Sequence, residues 1–335
     1  MVNLLLATDA WTDQINGVVR TLQSTIKELK KQGIETRVIE PTLFKGFRCP
    51  FYPEIKISVV RNIEKIMKSE KYDYVHIATE GPIGLSVRNY CVKNNIPFNT
   101  SYHTRFPEYL KKICLIPESI SYKFFKWFHK PAKSVLVPTL SMKETLDKKG
   151  FCNTVLWSRG VDRSEFYLME QTVSCKIKPI FLYVGRLSKE KNIDAFLDLP
   201  FKGTYWVVGD GPDGERLRKK YKKKATFFGS MKGKELAQKY SNASVFVFPS
   251  KTDTFGLVII EALSCGLPVA AYNVTGPKDI FSNSDFVGYL DDSLEKAVKN
   301  AMSNSSKKNC CRFSEKYSWH SCTQKFISYL EKVKK

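Results

Sequence analysis

The chain has 335 residues, of which 43% are hydrophobic and 26% charged, a composition that excludes a disordered or fibrous protein. This length exceeds one ordinary core and fits two domains. The net charge of +21 is spread evenly, with +10 over residues 1–167 and +11 over the remainder, whereas a nucleic-acid-binding module usually concentrates its charge on one element.

Strands and helices alternate along the first half of the chain. Apolar, β-branched runs predict strands at 4–7, 36–39, 74–77, 98–101 and 135–137. Segments of helical period lie between them, notably at 18–32 and 85–94. This alternation predicts a parallel sheet covered by helices, and therefore an α/β fold.

The second half repeats the pattern. Strands are predicted at 180–184, 205–208, 226–228, 245–248 and 269–271. The segment 157–179 has the weakest periodicity, so we place the boundary between two domains there, with domains at 1–165 and 166–313. A last helical pattern follows the polar stretch 303–309, and we expect residues 314–335 to pack back on the first domain.

A pair of acids flanks a strand-to-helix turn in the second half. The run DTFGLVIIE extends from Asp253 to Glu261 and follows the strand predicted at 245–248, so that Phe255 and Gly256 form the turn. Free N–H groups at a helix start attract phosphate, and a glycine permits close approach of the backbone. The two carboxylates could accept hydrogen bonds from sugar and ribose hydroxyls, although two acids that cap an ordinary helix give the same spacing.

Two glycine-containing stretches follow earlier strands of the same half. The run GRLSKEKN begins at Gly185, and the run VGDGP begins at Val208. Arg186 and Lys191 supply cations of the kind that stabilise a departing diphosphate. Taken alone, the first run is also compatible with a solvated loop.

In the first half, the loop TDAWTDQINGVVR joins the first strand to the first long helix. Asn16 is a competent helix cap, and Gly17, followed by Val18, lets a phosphate or an acceptor approach the helix start. His103 follows a strand in the run SYHTRFPE, whereas His76 lies within a strand and is expected to be buried and structural. The other two histidines carry no functional prediction.

Taken together and in this order, the motifs resemble those of the retaining GT-B glycosyltransferases of the large family 4, which contains α-mannosyltransferases, sucrose synthases and glycolipid glucosyltransferases. The resemblance covers nearly the whole chain. The phrases NGVVRT, CPFYPE and SYHTRFPE make it most similar to GDP-mannose-dependent α-mannosyltransferases and diacylglycerol glycosyltransferases. The resemblance implies two Rossmann-like domains whose parallel sheets face each other across a cleft that holds the active site.

The resemblance also implies roles for the motif residues. The catalytic set would be His103, Arg186, Lys191 and Asp253, in which the two cations hold the diphosphate and the other two residues face the transferred sugar. The donor-binding set would be Asn16, Gly17, Val18, Gly185, Gly209, Ser230, Met231, Phe255, Gly256, Leu257 and Glu261. Glu261 would hold the donor ribose. The family usually has glutamate where this chain has Asp253, and the shorter side chain weakens the case for its direct sugar contact.

The implied reaction moves mannose, glucose or glucuronate from a GDP- or UDP-linked donor to a membrane lipid or glycolipid, and a soluble saccharide acceptor is the alternative. Mn²⁺ or Mg²⁺ sites need clustered carboxylates such as DxD, and the sequence has none, so we expect no metal and no cofactor beyond the nucleotide-sugar co-substrate. The nine cysteines have no zinc-like spacing and are expected to be reduced. With no signal peptide or long apolar run, we expect a cytoplasmic protein. We also expect it to be a monomer.

The segment 105–133 combines seven basic and two acidic residues with four clustered aromatic ones. Basic side chains near an anionic leaflet and aromatic rings at the headgroup level would both support peripheral membrane contact. The alternative is that the aromatic rings face the domain core and the lysines face water. From the sequence, both interpretations remain open.

Two other classes of protein compete with the transferase. The run from Gly209 to Gly214 fits the GxGxxG pattern of dehydrogenases, but the end of the next strand, at 228–231, has no acid for the ribose. A nucleic-acid-binding protein is suggested by the charge alone, and the even distribution of that charge argues against it.

Overall fold

The computed structural model describes residues 2–11, 17–49, 52–69, 71–172, 178–281 and 287–333. The chain forms two compact units, which we call the N-terminal unit (Met1–Ser158 with Trp319–Lys335) and the C-terminal unit (Arg159–Ser318). The first boundary lies inside the weakly periodic segment 157–179.

The N-terminal unit is built on one parallel sheet. Its described strands are β1 (Val2–Ala7), β2 (Ile34–Ile39), β3 (Gly46–Cys49), β4 (Tyr52–Ser58), β5 (Tyr74–Ile77), β6 (Asn99–Ser101), β7 (Val135–Val137) and β8 (Thr154–Leu156). Six of them form a sheet of order β2-β1-β5-β6-β7-β8. The five predicted strands are confirmed, whereas the edge strand β8 and the antiparallel pair β3-β4 were missed.

Helices cover the two faces of this sheet and bury its apolar strands. Those of the N-terminal unit that precede the boundary are α1 (Gly17–Lys31), α2 (Ile63–Ser69), α3 (Pro82–Lys93), α4 (Phe106–Cys114), α5 (Glu118–His129) and α6 (Leu140–Lys148). The central strand β1 is apolar and completely buried from Leu4 to Ala7, as expected for a parallel strand covered on both sides.

The C-terminal unit repeats this architecture. Its strands are β9 (Ile180–Val184), β10 (Thr204–Val208), β11 (Ala225–Phe227), β12 (Val245–Phe248), β13 (Val269–Tyr272) and β14 (Gly288–Asp291), in the order β11-β10-β9-β12-β13-β14. Its helices are α7 (Ile193–Leu197), α8 (Gly214–Lys220), α9 (Gly233–Asn242), α10 (Leu257–Ser264), α11 (Pro277–Ile280), α12 (Leu294–Asn304) and α13 (Lys307–Ser314). All described strand pairs are parallel, as predicted.

The last helix, α14 (Trp319–Ser328), belongs to the N-terminal unit and packs on α1, which confirms the predicted return of the chain. Trp157 Nε1 donates to the Cys322 carbonyl oxygen at 3.2 Å, and the Phe326 ring lies 5.1 Å from that of Trp157. The helix begins at Trp319 rather than at 314, because Tyr317 and Ser318 pair with Val161 in the C-terminal unit.

Each sheet has one switch point, where the strand order reverses. In the C-terminal unit it lies between β9 and β12, and in the N-terminal unit between β1 and β5. The carboxyl ends of parallel strands lie at one edge, and ligands of doubly wound sheets bind outside that edge at the switch point. The loops after these four strands are therefore the candidate positions for a ligand-binding site.

Candidate active site

Two loops meet at the switch point of the C-terminal unit. We call residues 185–192, after β9, the first loop and residues 249–256, after β12, the second loop. Lys191 Nζ of the first loop lies 2.5 Å from Asp253 Oδ1 of the second, and Asn192 Nδ2 donates to the Pro249 carbonyl oxygen at 3.2 Å. The structure thus brings Lys191 and Asp253 of the predicted catalytic set into contact.

The two oxygens of the Asp253 carboxylate have different surroundings. Oδ1 contacts Lys191, whereas Oδ2 is buried and has no hydrogen-bond partner among the described residues. The backbone of Asp253 is held closely by Gly276, where a Cβ would lie only 2.6 Å from the Asp253 carbonyl oxygen. A buried carboxylate oxygen of this kind is suited to accept a hydrogen bond from a ligand hydroxyl.

Arg186 is positioned through its backbone. The buried Tyr183 hydroxyl donates to the Arg186 carbonyl oxygen at 2.8 Å. Burial, reinforced by the carboxylates of Asp253 and Glu190, raises the pKa of Tyr183 well above its ordinary value, so this hydroxyl remains a donor. This role could not be predicted from the sequence, because Tyr183 lies in an apolar strand and has the pattern of a core residue.

The glycines of the predicted donor set allow three loops to pack backbone against backbone. Gly209 has a φ of +136°, and a Cβ there would lie 1.9 Å from the Gly185 carbonyl oxygen. The Gly209 N–H donates to the Gly229 carbonyl oxygen at 2.8 Å, and the Ser230 N–H donates to Asp210 Oδ2 at 3.1 Å. The loops after β9, β10 and β11 are therefore adjacent, and they include Gly185, Gly209 and Ser230.

Helix α10 starts at the end of the second loop. Gly256 precedes its first residue, Leu257, and has a φ of +93°, a conformation that favours glycine. Phe255 is buried in the core, and Met231 is partly buried against it. A helix start of this kind offers N–H donors to an anion.

Glu261 lies one turn further along α10 and is deeply buried. Its side chain accepts a hydrogen bond from the Tyr240 hydroxyl of α9 at 3.3 Å, and the residue is 4% exposed. The second acid of the motif is thus on the helix that the second loop begins, at a more internal position than Asp253, whose side chain is 21% exposed.

The other predicted site residues belong to the N-terminal unit. Gly17 and Val18 form the first turn of α1, and Asn16 lies outside the described residues. His103 follows β6, is nearly buried, and its ring contacts that of Trp157 edge-on at 5.9 Å between centroids. Gly17, Val18 and His103 thus follow the carboxyl ends of β1 and β6, at the same edge of their sheet.

His76 is confirmed as a buried structural residue. It is completely inaccessible to solvent, and its Nε2 lies 3.0 Å from Ser101 Oγ. Burial lowers the pKa of His76 to about 3, so the imidazole is neutral at physiological pH.

Sequence reasoning missed two polar arrangements in the N-terminal unit. Asp9 accepts hydrogen bonds from the N–H groups of Ile83 and Gly84, at 2.8 and 3.2 Å, and so satisfies the start of α3. His129 is completely buried, and its Nε2 lies 3.2 Å from Glu80 Oε1. Neither pair has a sequence spacing that would reveal it, since each joins residues at least 49 positions apart.

Within the described ranges, no three His, Cys, Asp or Glu side chains come close enough together to hold a metal ion. None of the helices in that same part of the chain has both the length and the apolar character that a bilayer span requires.

Two family profiles match adjacent parts of the chain. The profile described as Glycosyltransferase Family 4 matches residues 15–165, and that described as Glycosyl transferases group 1 matches residues 168–317. The two-unit division of the structure follows the same order.

Three curated relatives have similar sequences. The sulfoquinovosyl transferase of Arabidopsis thaliana is 29% identical over 79% of this chain, which spans only 58% of that longer protein. A GDP-mannose-dependent alpha-mannosyltransferase of Mycobacterium tuberculosis is 28% identical over 84% of this chain and 82% of its own length. An alpha-monoglucosyldiacylglycerol synthase of Acholeplasma laidlawii is 26% identical over 78% of both chains.

Solved structures show the fold. The sucrose-phosphate synthase of Thermosynechococcus elongatus superposes with a TM-score of 0.77 at 18% identity and covers 98% of both chains. An Anabaena protein crystallised with UDP-glucose gives a TM-score of 0.71 at 16% identity, with 98% of this chain and 99% of that one covered. The chain therefore has the GT-B fold.

Proposed function

We propose that the chain, a glycosyltransferase of family 4 and group 1, transfers a hexose from a nucleotide-sugar donor to a membrane lipid or glycolipid. The hexose is mannose, glucose or glucuronate, and it arrives on GDP or UDP. The anomeric configuration of the sugar is kept.

The donor binds to the C-terminal unit at the switch point between β9 and β12. Arg186 and Lys191 of the first loop hold the diphosphate, assisted by the N–H groups at the start of α10. Asp253 accepts a hydroxyl of the transferred sugar on Oδ2, the buried oxygen that has no partner among the described residues. Glu261 holds the ribose. Its carboxylate already accepts a hydrogen bond from the Tyr240 hydroxyl, so the ribose and Tyr240 share this carboxylate.

In the chemical step, the bond from the anomeric carbon to the diphosphate oxygen breaks and the acceptor hydroxyl oxygen bonds to that carbon from the same face. The hydroxyl proton passes to the departing diphosphate. Negative charge develops on the leaving group, and two fixed cations stabilise it without reorganising during the reaction. Side chains thus do the work that a divalent metal performs in other transferases, and we expect no metal requirement.

The observation that carries the choice of a lipid acceptor is the exposed face of α4 and α5. The rings of Phe125 and Phe128 face the core, but other large apolar side chains of this segment stay exposed: Leu115, Ile116, Ile120, Phe124 and Trp127. The same segment carries five exposed lysines: Lys111, Lys123, Lys126, Lys130 and Lys133. We call these ten side chains the basic apolar face.

One ring of this face is rigidly presented. The guanidinium of Arg88 lies 3.9 Å from the Trp127 ring centroid, and its Nη2 donates to the Trp127 carbonyl oxygen at 2.9 Å. The indole is nevertheless 48% exposed. Exposed apolar side chains in a segment rich in exposed lysines suit the headgroup region of an anionic membrane, and a soluble saccharide would not require them.

Donor and acceptor can be identified by one matrix of assays. Purified protein is incubated with UDP-glucose, UDP-glucuronate or GDP-mannose, and with anionic vesicles that contain diacylglycerol, vesicles that contain a glycolipid, or a soluble saccharide. We expect transfer from one donor to one of the lipids. Transfer confined to the soluble saccharide would contradict the lipid acceptor but keep the transferase.

The basic apolar face is tested separately. The double variant Phe124→Ser, Trp127→Ser should weaken binding to anionic vesicles by about tenfold or more, since each apolar side chain that enters a membrane contributes about 1.5–3 kcal/mol when fully buried. The matched control is Phe47→Ser, which removes an exposed ring of the same unit outside this face. Equal vesicle affinity of the double variant and the control would exclude the face as a membrane contact.

A further inference from the structure

A group of polar side chains is buried where β6, α4 and α5 meet, and we call it the polar cluster. It consists of Tyr102, which follows β6, Arg105 and Glu108 at the start of α4, and Ser121 and Tyr122 in α5. The Tyr122 hydroxyl donates to Glu108 Oε1 at 2.9 Å, and Arg105 Nη1 lies 3.8 Å from the same oxygen. None of these residues belongs to the predicted catalytic or donor-binding sets, and Tyr102 immediately precedes His103.

Four atoms of the polar cluster are buried and, among the described residues, have no hydrogen-bond partner. They are Tyr102 Oη, Arg105 Nε, Glu108 Oε2 and Ser121 Oγ. Buried polar atoms in native proteins are nearly always paired, because an unpaired one loses its hydration without compensation. Four such atoms at one junction indicate a place where a ligand supplies the missing partners.

The cluster has a floor and an accessible rim. Tyr102 is completely buried and Tyr122 nearly so, and these two side chains form the floor. The Arg105 and Glu108 side chains are 21% and 28% exposed and form the rim. A small polar group that approaches the rim would meet these two side chains first.

The chemistry of the cluster suits a neutral ligand with several hydroxyl groups. The charges of Arg105 and Glu108 compensate each other, which disfavours a phosphate or a cation. Burial raises the pKa of the Tyr102 and Tyr122 hydroxyls, so both remain neutral donors. Hydroxyl groups donate and accept, and can therefore pair with the carboxylate, the guanidinium and the phenols together.

The polar cluster and the basic apolar face share helix α5. Ser121 and Tyr122 follow the exposed Ile120 in α5, and the half-exposed Phe106 stacks on Phe125 at 6.1 Å between centroids. A lipid held by this face would have its headgroup near the rim. We propose that the polar cluster binds the hydroxyl groups of a neutral acceptor headgroup, either a glycerol or a hexose. This inference rests on the lipid acceptor of the proposed function.

Tyr102→Phe is the decisive variant, because it removes only the hydroxyl and keeps the buried ring. A purely structural role predicts unchanged activity, with a melting temperature that is unchanged or higher. Our proposal predicts the same melting temperature together with an acceptor KM about tenfold higher, and an unchanged donor KM. Glu108→Gln, which keeps the shape of the side chain, should have the same effect on the acceptor KM.

Glu118→Gln is the matched control, since Glu118 lies in the same segment and is paired with Lys111 at 3.0 Å, outside the polar cluster. Its acceptor KM should stay at the wild-type value. The assay uses diacylglycerol vesicles, monohexosyl-diacylglycerol vesicles and a soluble methyl hexoside, which separates a lipid headgroup from a free sugar as the source of the hydroxyls. An unchanged acceptor KM in both cluster variants, or an equal rise in donor KM, would overturn the proposal.

A binding measurement keeps this test independent of turnover. Wild-type protein should bind vesicles that contain monohexosyl-diacylglycerol more tightly than vesicles of equal charge without it, and Tyr102→Phe and Glu108→Gln should lose that difference. Their affinity for the plain vesicles should not change, because the basic apolar face is intact. If the wild type shows the headgroup preference and both variants retain it, the cluster does not bind the headgroup, whether or not the proposed reaction is correct.

Discussion

Replacing Lys191 by methionine tests the chemistry of the first loop. The substitution keeps the unbranched stem and removes the ammonium that lies 2.5 Å from Asp253 Oδ1. Asp253 would then have two oxygens without a charged partner, because its Oδ2 already has none among the described residues. Two separable effects follow, one on stability and one on turnover.

The effect on stability is modest, because both side chains of the pair keep about a fifth of their exposure, 22% for Lys191 and 21% for Asp253. Breaking an exposed ion pair costs up to about 1 kcal/mol, and breaking a buried one about 3–5 kcal/mol. An intermediate cost of about 2 kcal/mol would lower the melting temperature by roughly 4–8 °C. The effect on turnover is larger, since loss of one group that stabilises transition-state charge costs about 3–4 kcal/mol, or 10²–10³-fold in kcat.

The assay measures kcat and KM for the nucleotide sugar and the melting temperature of the same preparations. Lys189→Met is the matched control, because Lys189 is an exposed lysine of the same loop and we assign it no role. We expect near wild-type turnover for the control and a loss of at least a hundredfold for Lys191→Met. Turnover within about threefold of wild type for Lys191→Met would refute the assignment of this lysine to the diphosphate.

Three further outcomes are expected. Gly209→Ala should lower the free energy of unfolding by about 3 kcal/mol or more in urea titrations, because its Cβ would meet the Gly185 backbone. The control is Gly233→Ala, where the Cβ meets nothing, and an equal or smaller loss in Gly209→Ala would contradict this packing. Since burial lowers the pKa of His76 to about 3, the unfolded chain binds a proton below pH 6.5 that the folded chain does not. The free energy of unfolding should therefore fall as the pH drops from about 6.5 toward 3, and it should fall less steeply in His76→Gln. Parallel plots of unfolding free energy against pH for the two proteins would contradict this role of His76. Turnover should be unchanged in the presence of EDTA. A loss of turnover that Mn²⁺ or Mg²⁺ restores would show that side chains do not replace a metal.

The fold could be predicted where strands are long, apolar and central. Residues of β9 and β12 form continuous apolar runs and are completely buried, so their pattern is unambiguous. Two of the four edge strands, β8 and β14, escaped prediction for the opposite reason. β14 (Gly288–Asp291) is half-buried throughout and ends in an acid, and β8 (Thr154–Leu156) has three residues, which is too few to show a period.

The candidate site was predictable in its motifs but not in its contacts. Lys191 and Asp253 could be named because each belongs to a recognisable run, yet their ion pair joins residues 62 positions apart and depends on adjacent placement of β9 and β12. Tyr183 and the polar cluster could not be found from the sequence. Their polar atoms lie among apolar neighbours, and only the packing of α4 on α5 brings Glu108 to Tyr122.

For the segment 105–133 the sequence allowed two interpretations, aromatic rings at a membrane surface or aromatic rings in the domain core. Both interpretations hold for part of it, since Phe125 and Phe128 face the core while Phe124 and Trp127 are exposed. Helical periodicity assigns residues to opposite faces, but it does not say which face meets the core. That choice depends on contacts such as the one between Arg88 and Trp127.

A crystal structure with the cognate nucleoside diphosphate tests most directly where the donor binds. We expect phosphate oxygens within hydrogen-bond distance of Arg186, Lys191 and the N–H groups at the start of α10, with the ribose at Glu261. A nucleotide bound instead outside the carboxyl ends of β1 and β5 in the N-terminal unit would contradict it.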